Sequence, residues 1–250
     1  MLSAAVIQSH REPLPAAWYH SCVESVQAWA SHWNFDYRWL DDSLFDSLPR
    51  DIRVKTATQP IVASDLARLY ALDSALAQGY DCAVWVDADT FVVDVPGLVL
   101  SPEDHAFGRE VWVQRTGTTL QVYRKIHNAF MSFKQGNPML EFYRYAALRM
   151  LRRHDGPMAP QFIGPKFLSV LHNIIEFPVL ESAAMLSPAV IAGLLGENSA
   201  ALDCFRRASD CAPAAINLCG SMVDSGELTD ADMAAVIEVL KGGAQLLEPT

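Results

Sequence analysis

Residues 83–94 read Ala-Val-Trp-Val-Asp-Ala-Asp-Thr-Phe-Val-Val-Asp: an apolar run that stops at two carboxylates one residue apart. Val84-Trp85-Val86 has the composition of a buried strand, and β-branched residues resume after Thr90. Such a strand delivers Asp87 and Asp89 together to the rim of a sheet. In open α/β folds that rim, at the carboxyl ends of the strands, is where ligands bind. Paired carboxylates there are hard oxygen donors suited to Mg²⁺ or Mn²⁺.

The tripeptide alone carries little weight, because Asp230-Ala231-Asp232 repeats it. There the context is different. Thr229 and Asp232 form an S/T-x-x-D/E capping pattern ahead of an apolar helical run, and both carboxylates favour a helix N-terminus. The second D-x-D is expected to be structural.

Upstream of the first, apolar and polar residues alternate between two periods. Ser3–Gln8 reads as a strand and Pro13–Trp33 as a helix with Trp18, Cys22, Val26 and Trp29 on one face. Phe35–Leu40 reads as a strand, Thr58–Gln78 as a helix stopped by Gly79, and Cys82–Val86 as a third strand. The order β-α-β-α-β predicts a doubly wound α/β sheet with parallel strands in this half. Further on, Glu110–Arg115 and Thr119–Tyr123 flank a Thr-Gly-Thr turn, and Asn128–Phe133 reads as another strand. Pro138–Arg153 is a helix, Gly164–Leu171 a short helix or loop, and Ile174–Phe177 a strand. From Pro188 the chain reads as helical throughout. This organisation is expected to be a catalytic domain over 1–196 with a C-terminal helical segment, 197–250, packed on it.

Bulk properties narrow the function. A formal charge of −10 argues against a nucleic-acid surface, which needs a basic stripe. It leaves room for a nucleotide diphosphate, since a bound cation reverses the local sign. Five cysteines without a C-x-x-C pair suggest reduced thiols. Met1–Ile7 is apolar but lacks a basic flank, and no run reaches the length of a membrane span. These points lead us to expect a soluble cytoplasmic protein, with peripheral membrane association left open.

Ser64-Asp65-Leu66-Ala67-Arg68 lies 22 residues before Asp87. A solvated i,i+3 ion pair is the plain reading. The apolar neighbours Ala63, Leu66, Leu69 and Tyr70 instead put the pair in a cleft or a buried network. Together, the string from Val84 to Asp94 resembles the metal-binding strand of family 8 GT-A glycosyltransferases. Ser64 to Arg68 is similar to the S-D-x-x-R helix of family 32 and of related sugar-transferring toxins. His127-Asn128-Ala129-Phe130 resembles the family 8 segment built on F-N-A-G, and Gly164-Pro165 a late G-P step of family 32.

The resemblance implies a GT-A, Rossmann-like doubly wound mixed sheet with C-terminal helices, and a metal-dependent transfer of sugar from a nucleotide-diphosphate sugar, UDP- or GDP-linked, with retention. It implies that Asp65, Arg68 and Asn128 hold donor or acceptor hydroxyls. Gln8, Ser64, Trp85, Asp87 and Lys166 would contact the nucleotide, and Asp87 and Asp89 would engage Mn²⁺ or Mg²⁺. For the third metal ligand two positions qualify, His172 and Asn217. The acceptor stays open: a polysaccharide or other glycan, a lipid-linked sugar, a protein or a small molecule.

Two other readings compete. D-x-D after an apolar strand also occurs in haloacid-dehalogenase-type phosphatases, with Asp87 as nucleophile. That chemistry needs a later acidic pair after another strand, and Ile174-Ile175-Glu176-Phe177 offers one acid, Glu176. A non-catalytic relic that still binds nucleotide or sugar is the third. Arg144, Arg149, Arg152 and Arg153, with Arg124 and Lys125, are expected on a solvated face.

Overall fold

A computed structural model describes residues 2–250; Met1, the head of the apolar N-terminal run, lies outside it. The elements in chain order are β1 (Ala4–Ser9), α1 (Trp18–His32), β2 (Asp36–Leu40), α2 (Arg50–Lys55), α3 (Pro60–Ala77), β3 (Cys82–Val86) and β4 (Thr90–Val92). After these come the long hairpin strands β5 (His105–Thr116) and β6 (Thr119–Lys134), α4 (Pro138–Arg153), α5 (Pro165–Ile175), β7 (Val179–Met185) and α6 (Pro188–Leu194). The chain closes with α7 (Ser199–Ala208), β8 (Ala215–Asn217), α8 (Ser221–Asp224) and α9 (Asp230–Lys241).

The eight strands of the described residues form one mixed sheet in the order β2-β1-β3-β6-β5-β7-β8-β4. β1 pairs in parallel with β2 and β3, as the β-α-β-α-β pattern predicts. β6 then joins β3 antiparallel, which makes the sheet mixed. Both faces are covered. Ala5 and Ile7 pack with α3 and α4 on one side, while Ala4 and Val6 pack with Val26 and Trp29 of α1 on the other.

Topology forces the sheet to curl. β3 and β4 stand five positions apart, about 24 Å in a flat sheet. Only Asp87, Ala88 and Asp89 connect them, a span of at most roughly 14 Å. The β4 edge must therefore bend back toward the carboxyl end of β3, and the D-x-D is the bridge across that gap. The Asp87 amide donates to Ala129 O of β6 (2.8 Å), and the Leu218 amide donates to Asp89 O (3.0 Å).

Several local expectations are corrected. α1 begins at Trp18 rather than near Pro13, because Pro13 and Pro15 hold their preceding residues out of helical geometry. The three short strand segments between 110 and 133 are parts of the two continuous strands of one hairpin, turning at Gly117 with φ +61°. Ile174–Phe177 is not a strand: α5 runs to Ile175, stops at Glu176 in the left-handed region (φ 42°), and β7 starts only after Pro178. The stretch after Pro188 is not wholly helical either. Ala215–Asn217 forms β8 between β7 and β4, a three-residue strand specified by its neighbours and not by any local period. Gly79 does end α3, at φ +99°.

Candidate active site at the carboxyl end of β3

A cavity of about 730 Å³ opens at the D-x-D, lined by Asp65, Arg68, Asp87, Asp89, Asn128 and Asn217 among others. α3 contributes the first two. Its residues are buried on nearly all sides, so the Asp65–Arg68 pair sits inside the molecule, with side chains 4% and 8% exposed. Arg68 is the hub. Nη1 lies 3.1 Å from Asp87 Oδ1 and donates to Asn128 O at 2.9 Å. Nη2 lies 3.4 Å from Asp65 Oδ1. Its guanidinium also covers the Trp85 ring at 5.1 Å.

Asn128 reaches this cluster because β6 changes partners. Pairing with β5 jumps from Met131 opposite Phe107 to His127 opposite Gly108, so residues 128–130 leave β5. Phe130 pairs with Val86 of β3 instead, and the Asn128 amide donates to Asp65 Oδ1 at 2.7 Å. His127 fixes the bulge. Its Nδ1 accepts the Ala129 amide (3.1 Å), so Nε2 is the protonated nitrogen and donates to Ala183 O (3.1 Å). Burial lowers its pKa to about 4, keeping it neutral. Gly108 is required beside it, because a Cβ there would overlap the imidazole.

The two D-x-D carboxylates are held differently. Asp87 Oδ1 accepts from Trp85 Nε1 at 2.6 Å. Asp89 accepts from Asn217 Nδ2 (2.5 Å) through Oδ1 and from the Gly220 amide (2.7 Å) through Oδ2. Those partners lie about 130 residues away, brought in by β8. Burial, then the charge of Asp87, pushes Asp89 up to about 6. Burial also raises Asp65 to about 6 against the opposing pull of Arg68 and Asn128. Asp65 Oδ2 has no hydrogen-bond partner and lies against Gly164, where an added Cβ would strike it.

Lys166, in the first turn of α5, lines the same cavity. Four other sequence candidates do not. Gln8 is fully buried, donating to Asp87 O (3.2 Å) and accepting from Tyr37 (3.0 Å). Trp85 is buried beneath Arg68. Ser64 Oγ is a 3.4 Å acceptor for Arg68. His172 is not brought to the D-x-D: its Nδ1 accepts the Phe177 amide at 2.9 Å, and it lines a separate cavity of about 370 Å³. It lies in the last turn of α5, with its ring turned toward the C-terminus of that helix. Glu110, Trp112 and Tyr123, which also line the main cavity, carry no motif; the alternation Glu110-x-Trp112-x-Gln114 is their one sequence signal.

No protein-family model matches the chain, and no curated protein does. Solved structures resemble it at low identity. A glycosyltransferase involved in the glycosylation of the major capsid of PBCV-1 aligns over 94% of this chain and 98% of its own, at 12% identity and a TM-score of 0.49. The galactosyltransferase LgtC, in complex with donor and acceptor sugar analogs, aligns over 97% and 96%, at 13% identity and 0.48. The apo form of the glycosyltransferase GlyE from Streptococcus pneumoniae TIGR4 aligns over 95% and 64%, at 11% identity and 0.44. Likeness at this level decides nothing about chemistry. That must come from the side chains.

Proposed function

We propose that the chain is a metal-dependent glycosyltransferase of the GT-A type that moves a sugar from a nucleotide-diphosphate donor to an acceptor hydroxyl. One observation carries the reading. Asp65 and Asp87 share a single guanidinium, Arg68, while Asp89 lies beside Asp87 and is held only by the Asn217 amide and the Gly220 N–H, so three carboxylates are grouped with one cation and the cluster is left with a surplus of two. A divalent cation matches that surplus.

The donor set fits Mn²⁺ or Mg²⁺. Asp87 Oδ2 is unbonded, and each Asp89 oxygen takes one hydrogen bond and keeps a lone pair. No third His, Cys, Asp or Glu joins them among the described residues; Mg²⁺ is commonly held by one or two carboxylates completed by substrate phosphates and water. Bound there, the metal supplies charge neutralisation for the departing diphosphate.

The protein's own groups do the rest. Asp65 lines the cavity with its Oδ2 unbonded beneath Gly164, and we assign it as acceptor for a donor-sugar hydroxyl, while Asn128 and Arg68 fix its orientation by binding the other oxygen. Arg68 holds Asp87 in position through the 3.1 Å contact at Oδ1. The N-terminal turn of α5, with Lys166, brings positive charge to the cavity wall and suits a phosphate. Retention of anomeric configuration is taken from the resemblance to families 8 and 32. The phosphatase reading finds no support: Glu176 is exposed at the end of α5, away from the cavity.

Calorimetry with UDP and GDP, with and without Mn²⁺, tests the proposal. Binding of one nucleotide only when Mn²⁺ is present, weakened at least about tenfold in Asp89→Asn, is expected. Absence of binding to both nucleotides under every metal condition overturns it for these donors. Metal-dependent hydrolysis of the matching nucleotide sugar separates an active enzyme from a binding relic.

A further inference from the structure

The hairpin opposite Arg68 has a face that the reaction cluster does not use. In β5 and β6, Glu110 stands opposite Lys125, Trp112 opposite Tyr123, and Gln114 opposite Gln121. Directly opposed residues share a face, and five of these six line the main cavity. The reverse face, Val111 and Val113, is buried against Ile191 and Phe205. The hairpin is thus anchored from behind and presents one polar–aromatic–polar strip forward.

Glu110 is the telling residue. It is 8% exposed, and its one ionic neighbour is Lys125 at 4.0 Å, beyond hydrogen-bond length. No donor bonds its carboxylate among the described residues. Its oxygens open onto the cavity, so a ligand hydroxyl that enters there can donate to them. Trp112 next to it is half-buried, with its ring on the same wall.

We propose that this strip is the acceptor subsite and that it takes a carbohydrate: a pyranose whose C–H face packs on Trp112 while a hydroxyl donates to Glu110. The inference rests on the glycosyltransferase reading and assigns its open acceptor. An aromatic ring beside an unpaired carboxylate and a carboxamide suits a ligand that is apolar on one face and hydroxylated at its edge. A peptide or lipid acceptor would not need that combination.

Saturation-transfer NMR tests the proposal with a panel of methyl hexopyranosides and their disaccharides, on protein loaded with Mn²⁺ and the nucleotide found by calorimetry. At least one saccharide should bind. Trp112→Tyr should retain it, while Trp112→Leu and Glu110→Gln should weaken it by about fivefold or more, with nucleotide affinity unchanged in all three. The Tyr and Leu variants make the readout specific, since a purely structural role would not separate them by ligand affinity at equal thermal stability. Binding by no saccharide, or equal binding by wild type and both weakening variants, overturns the subsite. If nucleotide also fails to bind, the glycosyltransferase reading fails; if nucleotide binds and the hairpin variants are silent, the acceptor inference alone fails.

Discussion

Asp65→Asn offers the sharpest test of the site's energetics, because it should stabilise the protein while disabling it. The Asp65 side chain is 4% exposed, and burial raises its carboxyl from 3.8 to about 6 despite Arg68 and Asn128. Below pH 3.8 the group is protonated folded and unfolded alike. Between 3.8 and about 6 the native state holds a proton that the unfolded chain has released, so stability falls as pH rises through this window. A shift of about two units at ~1.4 kcal/mol each puts the loss near 3 kcal/mol by neutral pH. Asn has no proton to lose, and its side-chain oxygen can still accept from Asn128.

The variant should therefore match wild type near pH 4 and exceed it at pH 7. For a chain of this size ~3 kcal/mol corresponds to roughly 6–12 °C in Tm. Thermal and urea unfolding of metal-free protein from pH 4 to 8 reads this directly. Asp89 titrates in both proteins and cancels in the difference. An Asn variant less stable than wild type at pH 7, or a gap that does not change with pH, would refute the assignment of Asp65 as a desolvated, incompletely bonded carboxylate. Sugar transfer should be lost in the stabilised variant, the trade expected where a functional charge is kept against its burial cost.

Gly164→Ala places a Cβ against Asp65 Oδ2, 2.9 Å from its Cγ and 3.0 Å from Asn128 Nδ2; overpacking should cost about 1–3 kcal/mol in urea unfolding and weaken donor binding. Arg68→Met removes the cation from Asp65 and Asp87 and leaves buried charge unpaired, so stability at pH 7 should fall by about 3–5 kcal/mol; acid should recover part of it. Thr229→Ala breaks the capping box at α9, in which Thr229 and Asp232 bond each other's backbone. It should cost about 0.5–2 kcal/mol and leave nucleotide affinity unchanged. A change in nucleotide affinity there would implicate the second D-x-D in the site.

Much of this was legible in the residues. The first half declares itself by pattern: short continuous apolar runs at β1 and β3, a 3.6-residue repeat at α1 and α3, and Gly79 at the stop. The contrast between the two D-x-D motifs was local too. Thr229 caps with Asp232, and Asp230 accepts from Trp18 at 2.8 Å, whereas Asp87 and Asp89 lie at a cavity. The arginines expected on a solvated face are largely paired, Arg144 with Asp73 and Arg152 with Asp51. The i,i+3 spacing pairs Asp65 with Arg68, but that Asn128 would join them required a resemblance, since its distance along the chain gives no contact. The strand expected at Ile174–Phe177 was misread for a local reason: Ile174-Ile175-Glu176-Phe177 has strand composition but continues a helix that Glu176 ends.

The sequence by itself determined the alternation of strands and helices and the delivery of two carboxylates to the end of β3, because side-chain period and turn chemistry act over a few residues. Only the tertiary structure decided what surrounds those carboxylates. β4 lands at the far edge of the sheet, β8 brings Asn217 and Gly220 onto Asp89, and the bulge in β6 turns Asn128 onto Asp65. Each depends on strand pairing between segments far apart in the chain. Such pairing is selected by the burial and hydrogen bonding of the whole sheet, and a three-residue strand such as β8 carries too little local preference to announce it.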